Sequence, residues 1–467
     1  MAIINQNPIT NNENKTLLRG ESYKEILSLW WPELVATSLI LILPIILDAL
    51  IVSKLSSTNT YSALGVATTF LNMLTKLAES FGVATIILVG NLNGAQKYKE
   101  VGRALSSAFW ATFASGFIPF ILLFSFATEI YIWLGTPQQI AIIGAPFLRL
   151  RAFGVFLSFL IQALFGFMKA VKNTKTPMQI LSIGIVTFIM CDYALVLGKF
   201  GLPQVGLNGS AYATIIQYSI MLMLCFWHIF TNTDYKKYFQ KMFFFSCSRQ
   251  GFLHTLNLVW PVAIDKTALA SAYIFLNKAI NSMGTNAIAA FTTVWNMERI
   301  AFLPAISLAV VITFLVSNHI GNGNNAAARS IIKKTLYLGG GMVLVSLIIM
   351  SLNAHSFAHL FDPENKFTDF SAFAFPFVSI FVLFDFIQLI LCGTLRGSGD
   401  VKGVMLIRVI ASYIFFYPLV TFISWLSIPN PLLKFILIYG SFYVHSGFIG
   451  LLCIARLKGK WFKSNKI

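Results

Sequence analysis

Twelve stretches of about 20 or more mostly apolar residues, joined by short polar links, constrain this chain more than any other feature. They run approximately over 30–53, 61–89, 103–127, 139–168, 177–198, 209–230, 252–280, 287–318, 331–352, 370–394, 402–425 and 435–455. Hydrocarbon offers no partner to a free backbone N–H or C=O, so a span of this length must satisfy its own hydrogen bonds as a helix. Only 11% of the residues are charged and 57% are hydrophobic, which places the chain in a bilayer. The sequence therefore predicts an all-α integral membrane protein with twelve transmembrane helices.

The net charge of +17 would suggest nucleic acid for a soluble protein, but its placement argues for a membrane surface instead. Twenty-three of the 34 Lys and Arg residues fall in the two ends and in the loops after even-numbered spans. The opposite loops hold only Lys54, Lys199, Lys366 and Lys434. That asymmetry puts both termini in the cytoplasm. The chain is expected to be a multi-pass protein of the bacterial cytoplasmic membrane, partnered by lipid and a small molecule, not nucleic acid, and acting as a monomer. Residues 1–29 read as a polar tail rather than a leader peptide, and 456–467 as a second tail. The five cysteines show no CxxC spacing and read as small core residues.

The chain also repeats itself. Gly166 and Gly393, Lys169 and Arg396, and Lys175 and Lys402 are each 227 positions apart, as are Asn91 and Asn318, and Gly94 and Gly321. "WWP" at 30–32 answers "VWP" at 259–261 with a shift of two. Six spans per half give an N-lobe over 30–230 and a C-lobe over 252–455, joined by a basic linker at 231–251. The two pseudo-symmetric six-helix bundles share one orientation. Transporters use such halves for alternating access, with substrate and coupling ions bound between or within them.

An ionised side chain near the bilayer centre is costly, so one that is present faces a cavity or has a partner. Glu79, three residues after Lys76, and Glu298, beside Arg299, admit both a local ion pair and an ion site. Asp265 is adjacent to Lys266 and four residues after Pro261, where a broken backbone hydrogen bond makes room for a polar pocket; both readings stay open for it too. Asp48, Asp192 and Asp385 have no cation three or four residues away on their own helices, so their partners come from another helix, water or a transported ion. Asp48 follows Pro44 by one turn, and Gln388 follows Asp385 by one turn. Among the intramembrane cations, Lys76, Lys278 and Arg149 are the candidates to neutralise these acids or to attract an anionic substrate.

"DFIQLILCGTLRGSGD" at 385–400, "NTKTPM" at 173–178, "FLRLRAFG" at 147–154 and "NLNGAQKYKEVGRAL" at 91–105 together resemble the multidrug and toxic compound extrusion (MATE) family, within the MATE/flippase superfamily. The likeness runs from the Trp-Pro at Pro32 to the last span. It implies a two-lobed exporter that takes in a sodium ion or proton and sends out an organic, cationic or amphipathic substrate. It also implies that Asp48 and Asp192 form an N-lobe cation site, and that Asp385, with Asp265 replacing the family's helix-seven glutamate, forms a C-lobe one. Sodium would sit at Asp48/Asp192 or at Asp385/Asp265. No cofactor beyond the coupling ion is implied. Ser53 and Lys54 stand where the family has glycines, and Phe188 where it often has asparagine, which favours a proton over sodium in the N-lobe.

The prolines Pro32, Pro44 and Pro261 are the expected helix-bending points. A flippase for lipid-linked precursors, or an exporter of an anionic substrate, is the alternative on the same architecture. No GxSxG, HExxH or P-loop motif is present, so the chain does not read as an enzyme.

Overall fold

The computed structural model describes residues 20–41, 51–52, 55, 58–239, 247–362 and 365–459. Asp48 and Pro44 lie outside the described residues. The helices of the first half are α1 (Tyr23–Leu41), α2 (Thr58–Gly94), α3 (Tyr98–Ser125), α4 (Gln138–Ala170), α5 (Lys175–Leu197) and α6 (Leu207–Thr231). The second half comprises α7 (Arg249–Asn281), α8 (Thr285–Gly321), α9 (Asn325–Leu352), the broken α10a (Thr368–Ser379) and α10b (Val382–Gly397), α11 (Val401–Trp425) and α12 (Pro431–Lys458). No strand occurs among the described residues.

Local chemistry sets the helix starts. The α1 helix opens ahead of the expected residue 30 with a capping box, Ser22 Oγ accepting from Glu25 N at 3.3 Å while Ser22 N donates to Glu25 Oε2 at 2.6 Å. Ser248, Asn324, Asp400 and Asn430 cap α7, α9, α11 and α12 through their side-chain oxygens.

The all-α architecture is the one expected, and the count of twelve is approached but not reached among the described residues, where the first span is described only as far as Leu41. Among the described residues ten helices are long and apolar enough to cross a membrane, and α10a with α10b, bent by 50° at their break, makes an eleventh. The single helix expected over 370–394 is thus two, and α11 carries a π-helical turn over Ala411–Phe416. The π turn widens the helix by one residue per turn, a feature found at functional sites more than elsewhere.

One buried cluster is drawn mostly from α7 to α12, including Leu308, Val343, Phe386 and Phe435, with Ile26 and Ile86 from the first half; two others are drawn mostly from α2 to α6 around Phe81, Phe159, Leu164 and Met221, one of them taking in Val259 and Val262 of α7. The lobes meet along α2 and α8. Ser317 Oγ of α8 donates to Ile87 O of α2 at 2.8 Å. At the lysine-rich end of the pair a Cβ added to Gly94 would strike the carbonyl of Asn318, and one added to Gly321 would strike that of Asn91. Only glycine permits this approach, and the two contacts exchange under the 227-residue repeat. Asn318 Nδ2 further donates to Ala170 O at 2.8 Å, and Asn93 Nδ2 to Asn318 Oδ1 at 2.8 Å, so α8 is tied to both α2 and the end of α4. Helix α1 joins the seam through Trp30, whose Nε1 donates to Ser307 Oγ of α8 at 2.8 Å.

Candidate functional site

The break between α10a and α10b places Asp385 in the first turn of α10b. A helix N-terminus carries partial positive charge, so a carboxylate held there is stabilised without a cationic side chain. Its Oδ1 accepts from Gln388 Nε2 and from Ser446 Oγ of α12, each at 2.9 Å.

Glu298 stands nearby on α8, 4% exposed. Its Oε2 accepts hydrogen bonds from the hydroxyls of Tyr439 and Tyr443, one turn apart on α12. Its Oε1 is buried and has no hydrogen-bond partner among the described residues. Glu298 and Asp385 are within electrostatic range of each other, and neither forms an ion pair with Lys or Arg among the described residues. The expected local pairing of Glu298 with Arg299 is replaced by the two tyrosines, because adjacent residues leave a helix about 100° apart. Aromatic rings wall the site: Tyr273 packs on Trp295 at 4.3 Å and on Phe442 at 4.6 Å. Glu298, Asp385, the two phenolic oxygens and Ser446 Oγ make a set of hard oxygens, which suits a sodium ion or a proton rather than a soft metal.

Asp265 is differently placed. It is 1% exposed and both its oxygens are taken, Oδ2 by Arg396 of α10b and Oδ1 by Arg408 Nε of α11 at 2.7 Å. Both its oxygens being held by arginines, it is not free as the second carboxylate expected beside Asp385, whereas Glu298 is an acid within electrostatic range of Asp385. Lys266, its neighbour in sequence, turns to the other lobe and binds Glu79 Oε2 at 2.8 Å, while Lys76 holds Glu79 Oε1 at 2.7 Å. The local pair expected for Glu79 is present and extends across the seam between α2 and α7.

In the N-lobe Asp192 is fully buried on α5. Arg151 of α4 reaches across to Thr214 and to Ser210 Oγ of α6, the latter at 3.4 Å. Pro32 lies inside α1 and Pro261 inside α7. Next to Pro32, Glu33 is 3% exposed and binds Lys169 Nζ at 2.6 Å. Lys169 and Arg396, paired by the repeat, thus each anchor the end of a lobe's fourth span to an acid on that lobe's first. Lys76, Lys278 and Arg149 are exposed on their helices.

Sequence reasoning missed Glu33, Tyr439, Tyr443, Ser446 and the Arg408 partnership. The two tyrosines and Ser446 recur at i, i+4 and i+7 on one face of α12, a usable signal only once Glu298 is known to face them.

The MatE family profile matches residues 34–194 and again residues 261–422, two copies whose starts are 227 positions apart. Among curated relatives, the "Probable multidrug resistance protein YoeA" of Bacillus subtilis is 25% identical over 346 residues, 73% of each chain. The "Probable multidrug resistance protein NorM" of Rhizobium meliloti is 24% identical over 419 residues, 89% of this chain and 87% of that protein. Among solved structures, a MATE protein in complex with MaL6 superposes with a TM-score of 0.84 at 18% identity, covering 95% of this chain and 98% of its own. The outward-facing conformation of a multidrug resistance MATE family transporter gives 0.83 at 19%, with the same coverage. With the profile spanning both lobes and the architecture shared throughout, the chain belongs to the MatE family of membrane transporters.

Proposed function

We propose that this protein is a secondary active antiporter that exports organic compounds in exchange for sodium ions or protons, with Glu298 and Asp385 as the coupling site. The observation that carries this is their arrangement: two buried carboxylates within electrostatic range of each other in the C-lobe, neither in an ion pair with Lys or Arg among the described residues, and one of them with an oxygen left open. Two such charges in a dry pocket repel, so a cation that enters between them is bound strongly in one conformation and released when the pocket opens. The hydroxyls of Tyr439, Tyr443 and Ser446 orient the carboxylates and offer further oxygens. Because the ion and an organic substrate favour opposite lobe arrangements, each drives the other's movement. The α2–α8 contact supports alternating access, since two glycine-carbonyl approaches close the lysine-rich end, which the charge distribution assigns to the cytoplasm. The relatives named for multidrug resistance support an efflux role. Asp192 and Asp48 are proposed as a second, N-lobe ion site.

Counterflow in proteoliposomes tests the reading. A fluorescent organic cation should leave against its gradient when an inward sodium or proton gradient is imposed, and Asp385→Asn should stop it at unchanged expression. Retention of full ion-driven efflux by that variant removes Asp385 from the mechanism.

A further inference from the structure

One face of α10b carries Asp385, Gln388, Cys392 and Arg396, at spacings of three, four and four residues, which brings them into a single stripe. The stripe is a continuous polar chain. Gln388 Nε2 donates to Asp385 at 2.9 Å, Cys392 Sγ donates to Gln388 Oε1 at 3.6 Å, and Arg408 Nη2 reaches Cys392 Sγ at 3.9 Å. From there Arg408 Nε binds Asp265 at 2.7 Å, and Arg396 closes the chain on the other oxygen of Asp265.

Two arginines on one aspartate leave an excess positive charge in the lobe, and Arg408 is the one that faces the coupling site. It is 2% exposed, and its Nη1 is buried without a hydrogen-bond partner among the described residues. Arg396 is 14% exposed and lies in the last turn of its helix, and its Nε is likewise buried without a hydrogen-bond partner among the described residues. Asp385 is within electrostatic range of Arg408. The open donor of Arg408 and the open Oε1 of Glu298 therefore belong to one buried cluster whose charges do not balance pair by pair. Counted together, the carboxylates of Asp265, Glu298 and Asp385 and the guanidinium groups of Arg396 and Arg408 leave one net negative charge, which a single monovalent cation balances. The π turn that begins at Ala411, three residues after Arg408, seats Ser412 on His445 at 3.3 Å, beside Ser446 that holds Asp385.

We infer that Arg408 is a tethered counter-ion of the Glu298–Asp385 site, a positioning residue whose fixed charge weakens the hold on the incoming cation enough for it to be released. It rests on the coupling-site reading given above. With the cation absent, Arg408 offsets part of the carboxylates' charge, so the empty site survives in a low-dielectric interior. With the cation present, the same guanidinium repels it and limits its residence.

Equilibrium binding of radiolabelled sodium to the purified full-length protein in lipid nanodiscs tests this, with proton uptake in sodium-free buffer as the second probe. Arg408→Gln should lower the half-saturating concentration of the bound ion on the order of tenfold, the effect of removing one nearby charge at an interior dielectric near 20. Arg408→Lys, which keeps the charge, should stay within about twofold of the wild type. A purely structural Arg408 would change stability in both variants and the ion affinity in neither. Should Arg408→Gln fail to fold, Arg408→Met, an apolar residue of similar length, takes its place and the same tightening is expected. Unchanged half-saturation in whichever of the two charge-removing variants, Arg408→Gln or Arg408→Met, folds overturns the counter-ion role. If instead the wild type binds neither ion, or Asp385→Asn binds like the wild type, the coupling-site assignment itself is what fails.

Discussion

Gly94 packs against the carbonyl of Asn318, and Gly321 packs against the carbonyl of Asn91, so two residues separated by 227 positions exchange places in one reciprocal contact between the lobes. Replacing either glycine by alanine puts a methyl group into a peptide oxygen. Overpacking of this kind costs roughly 1–3 kcal/mol. Gly94→Ala and Gly321→Ala should each open the lysine-rich end of the seam, read as a longer distance between spin labels on the ends of α2 and α8. An unaltered distance distribution in both variants would show that this contact does not set the closed arrangement.

How much of this was legible in sequence depends on the range of the interaction. The repeat of Asn-x-x-Gly was visible, and so was the duplication into lobes, because both are properties of spacing. Asp385 and Gln388 were visible as a pair because one helical turn joins them. The break at the start of α10b was not, since the proline at Pro376 precedes it by several residues and other spans contain prolines without breaking. The partner of Asp265 was not visible either. Lys266 is its neighbour in the chain, yet Arg408 lies 143 positions away, and only packing brings them together. In a chain with 44 Phe and 15 Tyr, Tyr439 and Tyr443 could not be told from ordinary core aromatics.

The Asp265 cluster makes a stability prediction. Asp265→Asn leaves two guanidinium groups facing each other in the C-lobe, and loss of one partner of a buried pair costs roughly 3–5 kcal/mol. A clear fall in thermal unfolding temperature is expected. Equal stability of this variant and the wild type would mean that water or lipid headgroups reach the arginines.

The tyrosines on α12 should tune ion binding without defining it. Tyr443→Phe removes one hydrogen bond to a charged acceptor, about 1.5–3 kcal/mol. Half-saturating ion concentration should change by roughly one to two orders of magnitude while the fold is retained. An ion affinity identical to that of the wild type would place Tyr443 outside the site.

At the lysine-rich end, Glu21 links the lobes: Lys172 of the N-lobe binds it at 2.6 Å, His319 of α8 at 2.8 Å, and Lys334 donates to its carbonyl at 2.7 Å. Burial alone would raise the pKa of Glu21, but the hydrogen bonds and charges of His319 and Lys172 overcome it and lower the pKa to about 2. A depressed carboxylate pKa stabilises above the unfolded value and loses that contribution as pH falls through the folded one. The Glu21 contribution should therefore hold at neutral pH and fade between about pH 4.5 and 2. Glu21→Gln should flatten the pH dependence of thermal stability in that window, and a profile parallel to the wild type would show that the contact contributes nothing.

The account turns on Glu298 and Asp385 as the pair that takes up the driving ion. Charge movement on a solid-supported membrane, evoked by a sodium or proton concentration jump without organic substrate, reads that step alone. The wild type should give a transient current, and the double variant E298Q/D385N should give none while remaining folded and reconstituted. A current of wild-type size from the double variant would contradict the assignment of the coupling site.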